Sequence, residues 1–139
     1  MKRFVPIALA AAAVLALAAC GKEKDKEGLS KACPAAPAAL QTAPTLPGHF
    51  PNAKGVTYTK VTKDGPSTIA SGYLESDITG AHDAYVSAVS AAAGYSVTKQ
   101  EQDAADAEVN FKGAGQSGQV KLLQTCKTRT TVTITIRPA

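Results

Sequence analysis

The sequence predicts an α+β fold: a two-layer sandwich with one helix packed on a mostly antiparallel sheet, in the order β-β-α-β-β-β-β. Three observations carry this. Several C-terminal segments alternate apolar and polar residues with period two, one segment repeats apolar residues at helical spacing, and turn residues punctuate them. The chain has 139 residues, which allows one domain. Residues 46–139 hold 22 Val, Ile, Leu, Phe and Tyr, enough for one small core.

Pro47-Gly48 and Pro51-Asn52 mark the turns leading into the fold. Val56 to Thr62 is rich in β-branched and aromatic residues, and Lys63-Asp64-Gly65-Pro66 is turn chemistry. Thr68 to Leu74 follows, with Ile69 and Tyr73 on one face, so the two runs read as a hairpin. Gly72 weakens the second strand or marks a bulge.

The helix is expected over Gly80 to Ala93. Asp77 or Thr79 caps it, and Ile78, Ala81, Tyr85, Val89 and Ala92 form its apolar stripe. Gly94 stands where a left-handed residue ends a helix, and Tyr95 is placed to fold back on Val89. Four strands follow: Tyr95 to Lys99, Ala107 to Lys112, Gln119 to Cys126 and Thr131 to Arg137. The last alternates most cleanly, with Val132, Ile134 and Ile136 against Thr131, Thr133, Thr135 and Arg137. Such alternation means one buried and one wet face, and short polar connections make a meander the simplest path.

The N-terminus carries the most specific signal. Met1-Lys2-Arg3 is positive, Phe4 to Ala19 has no charge, and the run ends Leu17-Ala18-Ala19-Cys20-Gly21. The pattern is that of a secretory signal and is short for a membrane span. Leu17-Ala18-Ala19-Cys20 resembles the lipobox of bacterial lipoproteins. The resemblance covers the N-terminus only. It implies cleavage before Cys20, a diacylglycerol on the Cys20 sulfur and acylation of its amine, with two or three chains giving a stable anchor. It also implies a bacterial envelope location. Gly21, where enteric inner-membrane lipoproteins carry Asp, favours the outer membrane, with the domain facing the periplasm. The alternatives are an uncleaved anchor or an ordinary secretory signal. The chain then divides into a signal peptide (1–19), a lipidated cysteine with a charged, Pro/Ala-rich tether (20–45) and the α+β domain (46–139).

In the tether, residues 22–27 alternate in sign, and five of the eight prolines fall between Pro34 and Pro51. This reads as a semi-rigid spacer. With Cys20 lipidated, Cys33 and Cys126 are the remaining thiols of an exported chain and are expected to pair. The bond would stabilise the fold by about 4–5 kcal/mol on chain entropy. It would leave residues 21–32 free, with a reach of roughly 20 Å. The alternative is two free thiols, Cys126 buried and Cys33 exposed.

Removing the signal lowers the formal charge from +4 to +2, so the basic character belongs to the precursor and nucleic acid is not an expected partner. Gly113-Ala114-Gly115-Gln116-Ser117-Gly118 is a literal G-x-G-x-x-G, but an alternating strand follows it where a dinucleotide site needs a helix. Ser96-Val97-Thr98-Lys99 is a literal S-x-x-K in a strand, without the companion motifs of penicillin-recognising enzymes. His82, read as half-exposed beside Asp83, and His49 lack further ligands at metal-binding spacing. No catalytic, cofactor or metal residues are therefore assigned.

The wet sheet face is the one candidate surface: Glu108, Asn110, Lys112, Lys121, Thr131, Thr133, Thr135 and Arg137. It lacks the aromatic residues on which sugars or bases stack. The expected function is a lipid-anchored, non-enzymatic binding or structural module whose partners are the membrane and an envelope protein or glycan. The alternative is a small hydrolase, or another enzyme, acting on cell-wall material. A cleft holding His82 against a nucleophile, or paired carboxylates, would favour that alternative.

Overall fold

The computed structural model describes residues 29–30 and 32–139. It is a six-stranded antiparallel sheet with one helix packed on one face. The elements are β1 (Thr57–Asp64), β2 (Ser67–Leu74), α1 (Ile78–Ala91), β3 (Tyr95–Gln102), β4 (Asp106–Gly113), β5 (Gln116–Cys126) and β6 (Arg129–Pro138). The fold class and element order are those the sequence predicts.

The path departs from a simple meander. Strands lie in the order β1-β2-β6-β5-β4-β3, so only the last four run as a meander, and β6 closes beside β2. The cause is the helix. The 14 residues of α1 span about 21 Å. That matches the four strand spacings, about 19 Å, between the positions of β2 and β3. The chain therefore crosses the apolar face and restarts at the far edge. α1 packs over β3, β4 and β5 and reaches β6.

Asp77 caps α1, its carboxylate accepting from Gly80 N at 2.9 Å, while Ala92 ends it in extended conformation. Gly94 supplies the positive φ (79°) that turns the chain into β3. The helix begins at Ile78, two residues before the expected start, because Asp77 rather than Thr79 caps it. Tyr95 packs against the core cluster that includes Val89. Its ring packs edge-on to Phe50 and Phe111, and its hydroxyl donates to Gly48 O at 2.8 Å.

The segment leading into β1 is part of the core. Leu46, Phe50 and Ala53 are buried, and the Phe50 ring lies 4.3 Å from that of Phe111. They join Ile78, Tyr85, Val89, Val109, Val120, Leu122, Val132, Ile134 and Ile136 in one cluster. Burial of this apolar surface is what holds sheet, helix and lead-in segment together. Gly72 marks a bulge, as expected, but the extra residue is Thr59 on β1. A Cβ at Gly72 would stand 2.3 Å from Thr57 O, so only glycine fits there.

Candidate functional site

The uncovered face of the sheet is a grid fixed by strand register. One cross-strand row runs Tyr73–Thr131–Leu123–Asp106. The next runs Ser71–Thr133–Lys121–Glu108, and a third Ile69–Thr135–Gln119–Asn110. A fourth joins Arg137, Ser117 and Lys112. All eight residues expected on the wet face share it. The expectation that this face lacks aromatic residues is corrected, because Tyr73 is on it, together with Ile69 and an exposed Leu123. In β2 Thr68, Ala70 and Gly72 take the covered side together with Leu74, while the larger Ile69 and Tyr73 face the open side, which partly reverses the usual sorting by hydrophobicity.

Two depressions mark this face. One, of about 400 Å³, lies between Asp106, Glu108, Lys121, Leu123, Thr131 and Thr133. The other, of about 250 Å³, is lined by Asn110, Gly118, Gln119, Thr135 and Arg137. Between them, Gln119 Nε2 donates to Glu108 Oε2 (2.9 Å) and Asn110 Oδ1 (3.3 Å), and Lys121 lies 3.5 Å from Glu108. These contacts order the floor of the face.

Cys33 and Cys126 stand at disulfide distance, their Cα atoms 5.2 Å apart, across a sequence separation of 93 residues. Cys126 is fully buried and Cys33 partly so. The segment read as a spacer is engaged with the fold here. Lys127 N donates to Ser30 O (3.3 Å), Arg129 Nη1 to Pro34 O (2.6 Å) and Leu40 N to Tyr58 O (2.7 Å). Arg129 is the hub: it also donates to Glu75 Oε1 through Nε (2.9 Å) and Nη2 (2.7 Å), and lies 5.2 Å from the Tyr73 ring centroid. Cys20, Leu17–Ala19 and the signal region lie outside the described residues.

His82 is buried rather than half-exposed. Its Nδ1 lies 3.2 Å from Asp83 Oδ1, and its Nε2 is enclosed without a hydrogen-bond partner. It sits one residue off the predicted stripe, where the stripe is wide enough to take it in. It is not among the residues lining either depression. His49 is exposed in the lead-in turn, at φ 52°. Among the described residues, no three His, Cys, Asp or Glu side chains are grouped to hold a metal ion. No described helix is long and apolar enough to cross a membrane.

The two tempting motifs have structural explanations. In the glycine-rich segment, Ala114 and Gly115, both at positive φ (48° and 71°), form a two-residue hairpin turn between β4 and β5. A Cβ at Gly118 would meet Thr135 O at 2.0 Å. Ser96 and Lys99 lie on β3, where a bulge separates them and Lys99 pairs with Glu101 at 2.8 Å.

Sequence reasoning missed Gln124, which is buried on β5 at a position the alternation assigns to the core. Its Oε1 accepts from Ile78 N (3.2 Å), and its Nε2 donates to Cys126 O (3.1 Å) and Lys127 O (3.2 Å). It thereby locks the start of α1 to the β5–β6 hairpin. Tyr58 and Tyr85 form a second buried polar pair. Tyr58 donates to Asn52 Oδ1 at 2.7 Å, and burial pushes its phenol up to about 12. Burial, with Tyr58 beside it, pushes Tyr85 higher still.

No family model, curated protein or solved structure matches this chain significantly.

Proposed function

We propose that the protein is a lipid-anchored module of the bacterial envelope that binds another envelope component through the open face of its sheet. Cys20 carries the lipid, the outer membrane is the favoured anchor, and the domain faces the periplasm. The observation that carries the binding reading is the asymmetry of the sheet. One face is sealed by α1 and the lead-in segment, while the other is a polar surface with two depressions. Thr, Asn, Gln, Lys and Arg side chains on it offer both donors and acceptors to a glycan or protein partner.

Two experiments test this reading. Photo-crosslinking residues placed at Thr133 and Lys121, in intact cells, should capture an envelope protein or glycan that the same residue at Ser87, on the outer side of α1, does not. Equal capture from both faces defeats the binding assignment. Separately, Cys20→Ser should abolish fatty-acid labelling and membrane fractionation; unchanged fractionation defeats the anchor.

A further inference from the structure

Cations on the open face are not equivalent. Lys99, Lys121 and Arg129 each lie within 4 Å of a carboxylate, on Glu101, Glu108 and Glu75. Among the described residues, no Asp or Glu lies that close to Lys60, which stands opposite Ser71 on the outer strand β1, or to Arg137 and Lys112. Arg137 and Lys112 flank Ser117 in one cross-strand row. At about 4.8 Å per strand, their backbones stand roughly 10 Å apart. The smaller depression lies beside this row, and its lining has no aliphatic or aromatic side chain: Asn110, Gly118, Gln119, Thr135 and Arg137.

Resting on the binding reading above, we propose that this end of the face is a subsite for a carboxylate-bearing glycan. Arg137 and Lys112 take the carboxylate, and Thr135, Gln119 and Asn110 take ring hydroxyls. Two features favour a glycan over an acidic peptide. The depression lies on β4, β5 and β6, whose backbones are hydrogen-bonded to neighbours on both sides, so no unpaired edge is offered to an added strand. It also has no apolar pocket for a peptide side chain. Its position suits an anchored protein. The tether meets the fold near Arg129, and Arg137 lies eight residues along β6, about 27 Å away. The subsite is therefore at the end of the domain remote from the tether.

The test uses the full chain in detergent micelles and fluorescently labelled oligogalacturonate as a carboxylated glycan probe. Its methyl ester and a polyglutamate of equal charge serve as comparisons. The oligogalacturonate should bind, its affinity should fall as salt rises, and esterification should remove binding. Arg137→Gln with Lys112→Gln should weaken it about tenfold or more. Lys54→Gln, an exposed cation outside the face, should leave it unchanged. Circular dichroism melting of the double variant checks that it is folded. The proposal is overturned by absent binding, by an unaffected double variant, or by polyglutamate binding as tightly as the oligogalacturonate, which would make the row a plain charge patch. Crosslinking from Thr133 to an envelope partner, with no oligogalacturonate binding, would remove this subsite and leave the broader reading standing.

Discussion

Replacing Gln124 with alanine should cost about 3–4 kcal/mol of stability, most of it through hydrogen bonds. The wild-type amide makes three, to Ile78 N, Cys126 O and Lys127 O. Each is worth about 1 kcal/mol net. Ile78 N is a first-turn helix amide with no intrahelical partner, and Ile78 is fully buried, so water does not readily replace the lost acceptor. The cavity left by the truncated side chain adds up to about 1 kcal/mol. In urea, the midpoint should fall with the slope unchanged. In a thermal melt, a domain of this size should lose about 15–25 °C. Gln124→Leu separates hydrogen bonding from packing, because it keeps the volume and loses all three bonds. It should be nearly as destabilised as the alanine variant. A wild-type midpoint for the leucine variant, or a loss under 1.5 kcal/mol for alanine, would refute the reasoning.

Other outcomes follow from particular contacts. Cys33→Ser, or reduction, should lower urea stability by up to about 4–5 kcal/mol; in the unreduced wild type neither Cys33 nor Cys126 should alkylate. Tyr58 holds its proton to about pH 12 in the fold and to about 10 when unfolded, so the unfolded chain binds fewer protons between those values and stability falls as pH rises. A urea series from pH 9 to 12 should show that fall, and Tyr58→Phe should make it shallower without removing it, because the buried Tyr85 phenol is raised as well. Tyr85→Phe should leave stability unchanged or raise it by up to about 1–2 kcal/mol, because the Tyr85 hydroxyl is buried without a partner in hydrogen-bonding geometry and its removal relieves a desolvation cost. Gly118→Ala should destabilise by at least about 1–3 kcal/mol, since the new methyl meets a backbone carbonyl that cannot step aside.

The strands were legible where side chains alone decide the face. On β6 every second residue from Thr130 to Ile136 is buried, and the expected alternation is the observed one. On β3 the side chains say little, because most are exposed; the strand runs on to Gln102 through backbone pairing with β4. β2 misleads because its larger residues Ile69 and Tyr73 face the open side. The neighbourhood of β2 and β6 is a nonlocal outcome of the helix crossing, and no local pattern encodes it. His82 and Gln124 illustrate a different limit. Their burial depends on what the facing element supplies: enclosure for the imidazole, three backbone partners for the amide. Pairing of Cys33 with Cys126 was expected from compartment and count, but the role of Arg129 beside it was not. A lone arginine at a strand start carries no sign of the carbonyl and carboxylate that converge on it.

Arg129 and the two cysteines together give the proposed anchor a geometric meaning. Were the tether attached only where the core begins, at Leu46, the 26 residues after Cys20 could extend to about 90 Å. The contacts at Ser30, Cys33 and Pro34 bring the first point of attachment forward, leaving ten residues and a maximum of about 35 Å. That limit is close to the length of β6 itself, about 33 Å for ten residues. With the proposed lipid on Cys20, the domain would rise above the membrane by only about its own height. The contacts also fix which corner leads, because all three lie at the β5–β6 hairpin. Under that proposal the remote row of Arg137 and Lys112 would gain in two ways: it would lie at the end away from the bilayer, and its height above the bilayer would vary less. A cross-link that contributed stability alone could sit anywhere between two strands. One that joins the tether to a strand end stabilises the fold and also sets the direction in which the open face is presented.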